Sequence, residues 1–557
     1  MDFVYFILLV GVLIFVHELG HFAWAKFFGV KVLAFSLGFG PKLFGFRRGE
    51  TEYQVAMLPL GGYVRMLGES PSDVIAPEDE DRAFMTQPFL KKVVIVFAGP
   101  AMNLLFPVVL YFLVFLGDTA LPPPVIGTVF PDRPADGKLM TGDRVLAIDG
   151  EEISTFGELR RVVADNPGTE LEFRVARDDE EVTTRITPVM TRVSRELGIV
   201  DEVGRIGISP YHPAAVVGVT SPNSPAGVAR MRPFDTVVAA GGQPVDKWLD
   251  LERILAPNRG TLLPVTYLRP VRIDRALGGL VEIDIYEPHV ATLTPAPGPA
   301  GSGVERAGLE RADLYVSHVV VGSEEQRIGI RPGDRLVALD GEPIRMWATF
   351  IEDLKAGGGA ERQLTLRTGD QERTLAWRLR HERRIDEYGQ QIDRYDADNI
   401  MNWVPATPVA DLADNPHPLR YAFRRAVEST REMIELTVYS ALRLFQGQLT
   451  VKSIGGPITV FEVAGTAARE GTVNFLEVMA FISVNLGLIN LLPIPLLDGG
   501  HLLFFLMEAV SRRRVSTKVR QYASLVGLTI LILLMAVAFK NDIERNWPDA
   551  MTNAEHE

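Results

Sequence analysis

The first hydrophobic stretch of the chain contains two histidines and a glutamate at a spacing that suits metal chemistry. His17 and His21 are four residues apart, so on an α-helix both imidazoles lie on one face. Two imidazoles in this arrangement can bind one Zn²⁺, and Glu18 beside them can take a proton from a water molecule at the metal. The pattern therefore predicts a zinc site in which Glu18 is the general base.

The surroundings of this motif favour a functional interpretation. Within residues 3–25, His17, Glu18 and His21 are the only acidic, basic or imidazole side chains. A charged side chain in lipid costs about 2.5–3.5 kcal/mol even on the most lenient insertion scales. A carboxylate kept in such a segment is therefore expected to have a function.

A catalytic zinc usually has three protein ligands, so a further ligand must come from elsewhere in the chain. Asp498 is the candidate, because it is an isolated acid after residues 481–497, which carry no charge. An exposed aspartate at a helix end before a Gly-Gly turn is the alternative interpretation, but it leaves the acid without a compensating cation. His501 competes with Asp498 as a ligand, and these residues alone leave that choice open.

The composition of the chain indicates a membrane protein of several domains. It has 557 residues, 47% of them hydrophobic, with a mean hydropathy of +0.12. It contains no cysteine, which excludes disulfides and cysteine-ligated zinc. The net charge of −13 and the pI of about 5.4 give no reason to expect nucleic-acid binding.

Four segments are apolar and long enough to cross a bilayer, which takes about 20 residues. They are residues 3–25, 93–117, 473–497 and 522–539. The first could be taken for a signal peptide, because residues 23–25 read Ala-Trp-Ala. However, no Lys or Arg precedes Lys26, so we expect a retained anchor, which also keeps the histidines.

Basic residues predict the orientation of these spans. They cluster between spans one and two and between spans three and four: Lys26, Lys31, Lys42, Arg47, Arg48, Lys91, Lys92, Arg512, Arg513, Arg514, Lys518 and Arg520. Both connections should therefore be cytoplasmic, with both termini and the long middle section outside. At 1.5 Å per residue, His17 lies roughly 24 Å from the outer start of span one, in the cytoplasmic half of the membrane.

Residues 32–66 alternate apolar and polar side chains around several glycines. Residues 32–37 and 53–58 are predicted as short strands, with a turn at residues 47–49, which gives a β-hairpin. A strand close to an intramembrane site could pair with an unwound substrate segment. A hairpin that only packs is the alternative, and the residues leave both open.

The second span contains Gly99-Pro100, which should kink the helix, and Asn103 one turn later. An amide in lipid needs a partner, so Asn103 is expected to face the other helices. We interpret it as a packing residue.

The section between the second and third spans contains an internal repeat. Residues 141–150 and 332–341 share the pattern Gly-Asp-Arg, four apolar residues and Asp-Gly, and residues 233–242 are a degenerate copy with Phe234 in place of the first glycine. Each copy reads as a turn, a strand and a second turn, and a polar helix such as residues 155–164 follows. This pattern resembles the core of a PDZ domain, and three such modules are predicted, with a plain spacer role as the alternative.

Residues 418–446 repeat apolar side chains at helical spacing, with arginine and glutamate between them. This pattern predicts an amphipathic helix that lies on the outer membrane surface. A helix that packs on soluble domains is the alternative.

Taken together, the motifs resemble the site-2 protease family of intramembrane zinc metalloproteases, in particular its bacterial regulator-of-sigma-E protease branch. The resemblance rests on the motif from His17 to His21, on Asn490-x-x-Pro-x₄-Asp498-Gly, on residues 99–103 (Gly-Pro-Ala-Met-Asn) and on residues 59–64 (Pro-Leu-Gly-Gly-Tyr-Val). It covers about residues 1–118 and 418–540. The branch carries one or two PDZ-like domains, so a third copy departs from its pattern.

The resemblance implies an enzyme that hydrolyses peptide bonds within the membrane. It implies Zn²⁺ held by His17, His21 and Asp498, with Glu18 as the catalytic acid and base. It also implies that Asn485 and Asn490 bind the freed backbone of an unwound substrate. The implied substrates are single-span membrane proteins, such as anti-sigma factors already trimmed by a separate site-1 protease, and remnant signal peptides. The implied location is the bacterial inner membrane, with the active site towards the cytoplasm.

The predicted architecture is a polytopic α-helical membrane protein with about four transmembrane helices, a membrane-associated β-hairpin and inserted extracytoplasmic PDZ-like α+β domains. The predicted parts are an N-terminal membrane half at residues 1–118, PDZ-like modules at 122–200, 205–298 and 303–400, an interfacial helix at 418–446 and a C-terminal membrane half at 455–540.

Two other classes of protein fit parts of the sequence. A membrane-anchored PDZ binding or scaffold protein would have an inert or structural metal, but a structural zinc usually has four protein ligands and only three are apparent. A metal transporter would need polar residues along several spans. Whether the PDZ-like modules filter or recruit substrates is open.

Overall fold

The computed structural model of the chain describes most of its residues. The described residues are 1–69, 73–178, 180–194, 200–276, 281–298, 301–385, 391–396, 400–401, 406–407, 412–449, 454–513 and 515–546. Parts of the predicted PDZ-like modules, at residues 179, 195–199, 277–280, 386–390 and 397–399, lie outside them, as does Arg514 of the basic cluster.

The chain divides into two compact units, which we call the membrane unit and the inserted unit. Among the described residues, the membrane unit consists of residues 1–119 and 417–546, and the inserted unit consists of residues that lie within 120–385 and 391–416. The helices of the membrane unit are α1 (Asp2–Phe27), α2 (Phe89–Phe115), α9 (Pro418–Phe445), α10 (Pro457–Glu470), α11 (Thr472–Asn490), α12 (Asp498–Ser511) and α13 (Thr517–Asn546). The helices of the inserted unit are α3 (Phe156–Asp165), α4 (Pro225–Val228), α5 (Trp248–Leu255), α6 (Gly303–Ala307), α7 (Glu324–Arg327) and α8 (Trp347–Ala356).

Within the described residues, four helices are long and apolar enough to cross a membrane. They are α1, α2, α11 and the stretch Lys518–Arg545 of α13. Each overlaps one of the four predicted spans. The membrane unit is therefore built as a multi-pass protein.

The third predicted span, residues 473–497, ends earlier than expected. Helix α11 stops at Asn490, and a separate helix, α12, begins at Asp498. Pro493 and Pro495 explain the break, because proline lacks an amide proton and disfavours helical geometry in the residue before it. Asp498 thus opens a new helix instead of closing the third span.

Small residues let the membrane helices approach closely. A Cβ atom on Gly20 of α1 would lie 2.3 Å from the carbonyl oxygen of Ala98 in α2. A Cβ atom on Gly487 of α11 would lie 3.1 Å from the carbonyl oxygen of Pro100. Backbone contact of this kind is typical of helices that associate in lipid, and it brings α1 and α11 against the same stretch of α2.

Residues 32–66 form two long strands, β1 (Val32–Arg48) and β2 (Thr51–Met66). They pair antiparallel around a turn at residues 49–50, which overlaps the turn predicted at residues 47–49. Each strand bends and pairs twice, because residues 34–37 match both 62–65 and 52–55, while residues 42–48 match 51–56. The sheet therefore has four strand segments, and residues 62–66 form one of its edges.

Helix α9 covers the predicted amphipathic helix. It buries Ala422, Ala426 and Thr430 and exposes Leu419, Phe423, Phe445 and other apolar residues. Helix α10, between α9 and the third span, was not predicted. Its N-terminus is held by Asp542 of α13, whose carboxylate accepts hydrogen bonds from the amides of Gly456 and Ile458 at 2.8 and 2.9 Å.

The inserted unit is built from β-sheets with short helices. Its strands are β3 (Ala120–Leu121), β4 (Thr128–Val129), β5 (Arg144–Ile148), β6 (Glu151–Glu152), β7 (Leu171–Arg177), β8 (Glu180–Ile186), β9 (Val189–Ser194), β10 (Val200–Arg205), β11 (Ile208–Ser209), β12 (His212–Pro213), β13 (Val216–Val219), β14 (Asp235–Ala240), β15 (Gln243–Pro244), β16 (Leu263–Ala276), β17 (Val281–Leu293), β18 (Leu309–Arg311), β19 (His318–Val319), β20 (Arg335–Leu339), β21 (Glu342–Pro343), β22 (Glu361–Thr368), β23 (Gln371–Arg378), β24 (Arg380–Ile385), β25 (Gln391–Asp396), β26 (Ile400–Met401), β27 (Ala406–Thr407) and β28 (Ala413–Asp414). The sheets β6-β5-β7-β8, β17-β16-β14-β13-β18 and β21-β20-β22-β23 each contain one copy of the repeat.

A buried ion pair marks the same position in all three copies. The aspartate of the repeat is almost fully buried and binds an arginine from a later strand. The pairs are Asp143–Arg177 at 2.7 Å, Asp235–Arg269 at 2.7 Å and Asp334–Arg373 at 2.5 Å. The repeat read from the sequence thus corresponds to three modules with one internal design.

Phe234 shows how the middle module departs from the others. Gly142 and Gly333 adopt φ values of +97° and +89°, and Phe234 adopts +74° at the equivalent position. This conformation costs a bulky residue roughly 1–2 kcal/mol. The ring packs against Ala214, Val216 and other apolar residues, which offsets the strain.

Two module boundaries differ from the prediction. Residues 303–311, assigned to the third module, belong to the core of the middle one, because β18 pairs with β13 as an additional edge strand. Residues 206–209, assigned to the middle module, complete the first, where β11 pairs with β4. Both differences come from pairings between distant segments, which a local repeat does not reveal.

Candidate metal site

His17, His21 and Asp498 converge on one point of the membrane unit. Nε2 of His17 lies 3.1 Å from Oδ2 of Asp498, and Nε2 of His21 lies 3.6 Å from the same oxygen. The two Nε2 atoms are 3.2 Å apart. Within the part of the chain that the structure describes, this is the one group of three or more such side chains placed to hold a metal ion.

These separations match those of ligands around a tetrahedral zinc. With metal–ligand distances near 2.0–2.1 Å, neighbouring ligand atoms should lie about 3.3 Å apart. Two imidazoles and one carboxylate also leave one tetrahedral position free, which is the donor set of catalytic zinc sites. The residues present therefore fit the metal that the sequence predicts.

A backbone contact fixes the orientation of His21. Its Nδ1–H donates a hydrogen bond to the carbonyl oxygen of Ile95 in α2 at 2.9 Å. This bond keeps the proton on Nδ1 and leaves the Nε2 lone pair free for a metal, as is usual for ligand histidines. A Cβ atom on Gly99 would lie 2.3 Å from Nε2 of His21, so only glycine leaves room for the ring.

Asn103 contacts Nδ1 of His17, as Ile95 contacts Nδ1 of His21. Its fully buried amide lies 3.2 Å from Nδ1 of His17, on the side away from Asp498. With Nδ2 facing the ring, Oδ1 has no hydrogen-bond partner among the residues that the structure describes. Rotating the amide by 180° lets Oδ1 accept Nδ1–H, and the two ends of an amide are assigned from such contacts. His17 then also directs its Nε2 lone pair to the site.

This contact changes the interpretation of Asn103 from a packing residue to a support of the site. Its backbone carbonyl oxygen also accepts a hydrogen bond from Oγ of Ser483 in α11 at 2.7 Å. Helices α1, α2 and α11 therefore meet at this one residue. An amide in an apolar helix was the available signal, but its partner depends on how α1 packs on α2.

Two glycines allow Asp498 to reach the histidines. A Cβ atom on Gly499 would lie 2.2 Å from the carbonyl oxygen of Leu492, and one on Gly500 would lie 2.4 Å from that of Ile494. The first turn of α12 therefore packs directly on the chain that leads to it. A carboxylate at a helix N-terminus is also favoured by the helix dipole.

The three residues open into a cavity of about 300 Å³. Glu18 lines it and is almost buried, with 9% of its surface exposed. His501 lines it too but does not belong to the group of three ligands. Of the two candidates for the third ligand, Asp498 is the one whose carboxylate lies next to both histidine nitrogens.

The two asparagines predicted to bind substrate are placed differently. Asn490, the last residue of α11, lines the cavity. Asn485 donates a hydrogen bond from Nδ2 to the carbonyl oxygen of Phe481 in its own helix at 2.8 Å and does not line the cavity. Tyr63, Glu69 and Arg520 also line it. Tyr63 belongs to the predicted hairpin, whereas Glu69 and Arg520 were not predicted as site residues.

An ionic cluster holds the sheet against the end of α1. Glu50, in the turn between β1 and β2, accepts hydrogen bonds from Lys26 at 2.8 Å and from Arg82 at 2.7 and 2.8 Å. Burial by itself would raise the pKa of Glu50, but the bonds from Lys26 and Arg82 lower it overall. The pairs fix the sheet relative to the helix that carries His17.

Comparison with known proteins identifies a family that spans nearly the whole chain. Residues 5–534 match the model of Peptidase family M50. Protease RseP of Yersinia pestis is 29% identical over 549 residues, which cover 97% of this chain and 98% of that protein. The regulator of sigma-E protease RseP of Escherichia coli K12 is 28% identical over 562 residues, 98% of each chain.

Solved structures resemble a small part of the chain. The PDZ domain of an SdrC-like protein from Listeria monocytogenes is 21% identical, with a TM-score of 0.13, and the match covers 15% of this chain and 83% of that domain. The corresponding domain from Listeria innocua is 20% identical, with a TM-score of 0.13, and the match covers 16% of this chain and 91% of that domain.

Proposed function

The chain belongs to peptidase family M50, the intramembrane zinc metalloproteases, and we propose that His17, His21 and Asp498 hold its zinc and Glu18 is its catalytic acid and base. The protein is a multi-pass protein of the inner membrane that cleaves membrane proteins within the bilayer. The interpretation as a membrane-anchored scaffold with an inert metal is not favoured.

One observation carries this proposal. Three ligand atoms from two distant parts of the chain meet within 3.1–3.6 Å of one another, with Glu18 beside them on the cavity wall. A carboxylate and two imidazole lone pairs brought so close repel each other unless a cation lies between them. The arrangement is therefore best explained as a site built for a metal.

Glu18 performs the proton transfers of the reaction. It accepts a proton from water as the water oxygen bonds to the carbonyl carbon of the peptide. When the carbon–nitrogen bond breaks, Glu18 gives that proton to the leaving nitrogen, which departs as an amine. Bound zinc supplies Lewis-acid chemistry, because it polarises the carbonyl group and makes water more acidic.

The edge of the sheet is the proposed binding place for an unwound substrate. Residues 62–66 pair on one side with residues 32–37, and Gly62, Tyr63 and Val64 line the cavity. A Cβ atom on Gly62 would lie 2.9 Å from Cγ of Glu18, so this edge runs directly past the general base. An extended peptide could add to the edge as a further strand and present its backbone to Glu18.

The asparagines are proposed to bind the peptide groups that unwinding leaves without partners. Asn490 already faces the cavity, whereas Asn485 must first release the carbonyl oxygen of Phe481. An unpaired peptide group in lipid costs several kcal/mol, so such contacts help a helix to open.

The far end of the sheet is proposed to enter the membrane surface. Phe39, Leu43, Phe44 and Phe46 are between 46% and 66% exposed. An apolar patch of this kind is typical of contact with lipid.

The orientation proposed for the protein places both termini and the inserted unit outside and the site towards the cytoplasm, from the distribution of basic residues. The proposed substrates are single-span proteins that a separate site-1 protease has trimmed, such as anti-sigma factors, and remnant signal peptides. The three modules, near residues 122–209, 214–311 and 315–401, are proposed to be PDZ-like.

Replacing Glu18 with Gln tests the assignment. The amide cannot accept the proton, so the purified variant should keep its zinc and lose cleavage of a single-span model substrate by a factor of about 10²–10⁴. Near-normal turnover in the Glu18→Gln variant would remove Glu18 from the mechanism.

A further inference from the structure

His501 lies in the active-site cavity, and its imidazole is not used to hold the described part of the fold together. It lines the cavity together with His17, His21 and Asp498, and its side chain is exposed. Within the described residues its imidazole makes no hydrogen bond and no ion pair, in contrast to the two ligand histidines. A polar side chain that faces a reaction cavity and has no protein partner is available to a substrate.

The position of His501 in α12 places it beside the proposed metal. Asp498 and His501 are three residues apart in one helix, so their Cβ atoms are neighbours at about 5–6 Å. Asp498, His21 and Arg520 are the titratable groups near its ring. His501 is thus close to the site but outside the group of ligands.

The other donors in the cavity are less suited to contact the reacting carbonyl group. Arg520 donates to Glu508 at 2.7 Å and stacks on Phe504. The hydroxyl oxygen of Tyr63 accepts a hydrogen bond from Gln54 at 2.8 Å. Asn490 is separated from Asp498 by residues 491–497 and lies at the end of the helix before them.

We infer that His501 is a further catalytic residue, which donates an N–H hydrogen bond to the carbonyl oxygen of the peptide while negative charge develops there. The inference rests on the proposed site of His17, His21 and Asp498. A fixed donor of this kind acts mainly in the transition state, so it raises kcat and has little effect on KM. No proton needs to leave His501 in this role.

Two substitutions of His501 separate this role from others. His501→Leu removes the donor, and His501→Gln keeps an N–H group at a similar distance. In the purified full-length protein, His501→Leu should lower kcat by a factor of about 10²–10³ with an unchanged KM for a single-span model substrate. His501→Gln should recover most of that loss. Both variants should hold as much zinc as the wild type.

The controls make the outcome specific to His501. His381→Leu, at an exposed position in the inserted unit, should leave kcat and zinc content unchanged. Adding His501→Leu to the Glu18→Gln variant should not change its affinity for the uncleaved substrate, because the bond strengthens only in the transition state.

Three results would overturn the inference. Zinc loss in His501→Leu would make His501 a ligand. A kcat within a factor of about three of the wild type would leave it without a role, since a lost donor costs far more. Equal inactivity of the Gln and Leu variants at full zinc content would exclude N–H donation. A Glu18→Gln variant that still cleaves substrate would instead contradict the proposed function, so the two failures are distinguishable.

Discussion

The side-chain amide of Asn103 lies 3.2 Å from Nδ1 of His17, and both belong to helices predicted to cross the membrane. Ile95 makes the equivalent contact with His21 through its backbone carbonyl oxygen. Each of the two histidines proposed as ligands is therefore oriented by α2 from the side away from Asp498. The proposed metal site depends on the packing of α1 against α2 as much as on the histidines themselves.

Replacing Asn103 should weaken zinc binding without removing a ligand. In Asn103→Leu, Nδ1 of His17 loses its acceptor, and the apparent zinc affinity should fall by a factor of about 10–100. Asn103→Asp keeps an acceptor oxygen and should bind zinc more tightly than the leucine variant. Chelator competition measures both affinities. If both variants bound zinc as tightly as the wild type, the amide would not be needed to orient His17.

Because α2 approaches His21 closely at Gly99, an alanine at this position should impair zinc binding and cleavage. Gly99→Ala places a methyl group 2.3 Å from Nε2 of His21 in the present structure, so the ring must move. Zinc content and cleavage should both fall at least tenfold in the purified variant. Gly11→Ala in α1 is the matched control, because a Cβ atom there meets no atom within 4 Å. A Gly99→Ala variant with normal zinc content would refute the steric argument.

Deleting the three modules should show whether they exclude untrimmed substrates from the site or bind substrates and bring them to it. Strand β3 pairs with β28, so Leu121 lies next to Ala413 and residues 122–412 can be replaced by a short glycine-serine linker. We predict a filter: the deletion should keep its KM for a trimmed single-span substrate and gain cleavage of the untrimmed form. Phe234 in the middle module argues against three equivalent peptide grooves. A raised KM for the trimmed substrate, without that gain, would indicate recruitment.

The part of the site that could be predicted from the sequence is the part set by local geometry. The spacing of His17 and His21 places both rings on one helical face whatever surrounds them. That Asp498 lies near the histidines could be anticipated because an isolated acid next to an apolar run needs a partner. The four spans followed from their length and apolar composition. The internal repeat was visible because its turns and its aspartate recur in the sequence.

The features that were missed depend on contacts between distant segments. The role of Asn103 follows from the packing of α1 on α2, and the place of β18 in the middle module follows from its pairing with β13. A separate helix α12 was not predicted, because residues 491–497 continue the apolar run of α11. Only the prolines in that run mark the break between the two helices. That His501 lines the cavity without a partner among the described residues could be seen only once the cavity around it was known.

Zinc stoichiometry in the Asp498→Asn variant tests the account most directly, because Asp498 is the proposed ligand that joins the two halves of the membrane unit. A neutral amide oxygen binds Zn²⁺ more weakly than a carboxylate. Elemental analysis of the purified full-length protein should give about one zinc per chain, as expected for one site, in the wild type and in Glu18→Gln. Asp498→Asn should hold little or none. A full zinc complement in Asp498→Asn, with zinc lost instead in His501→Ala, would contradict the proposed site.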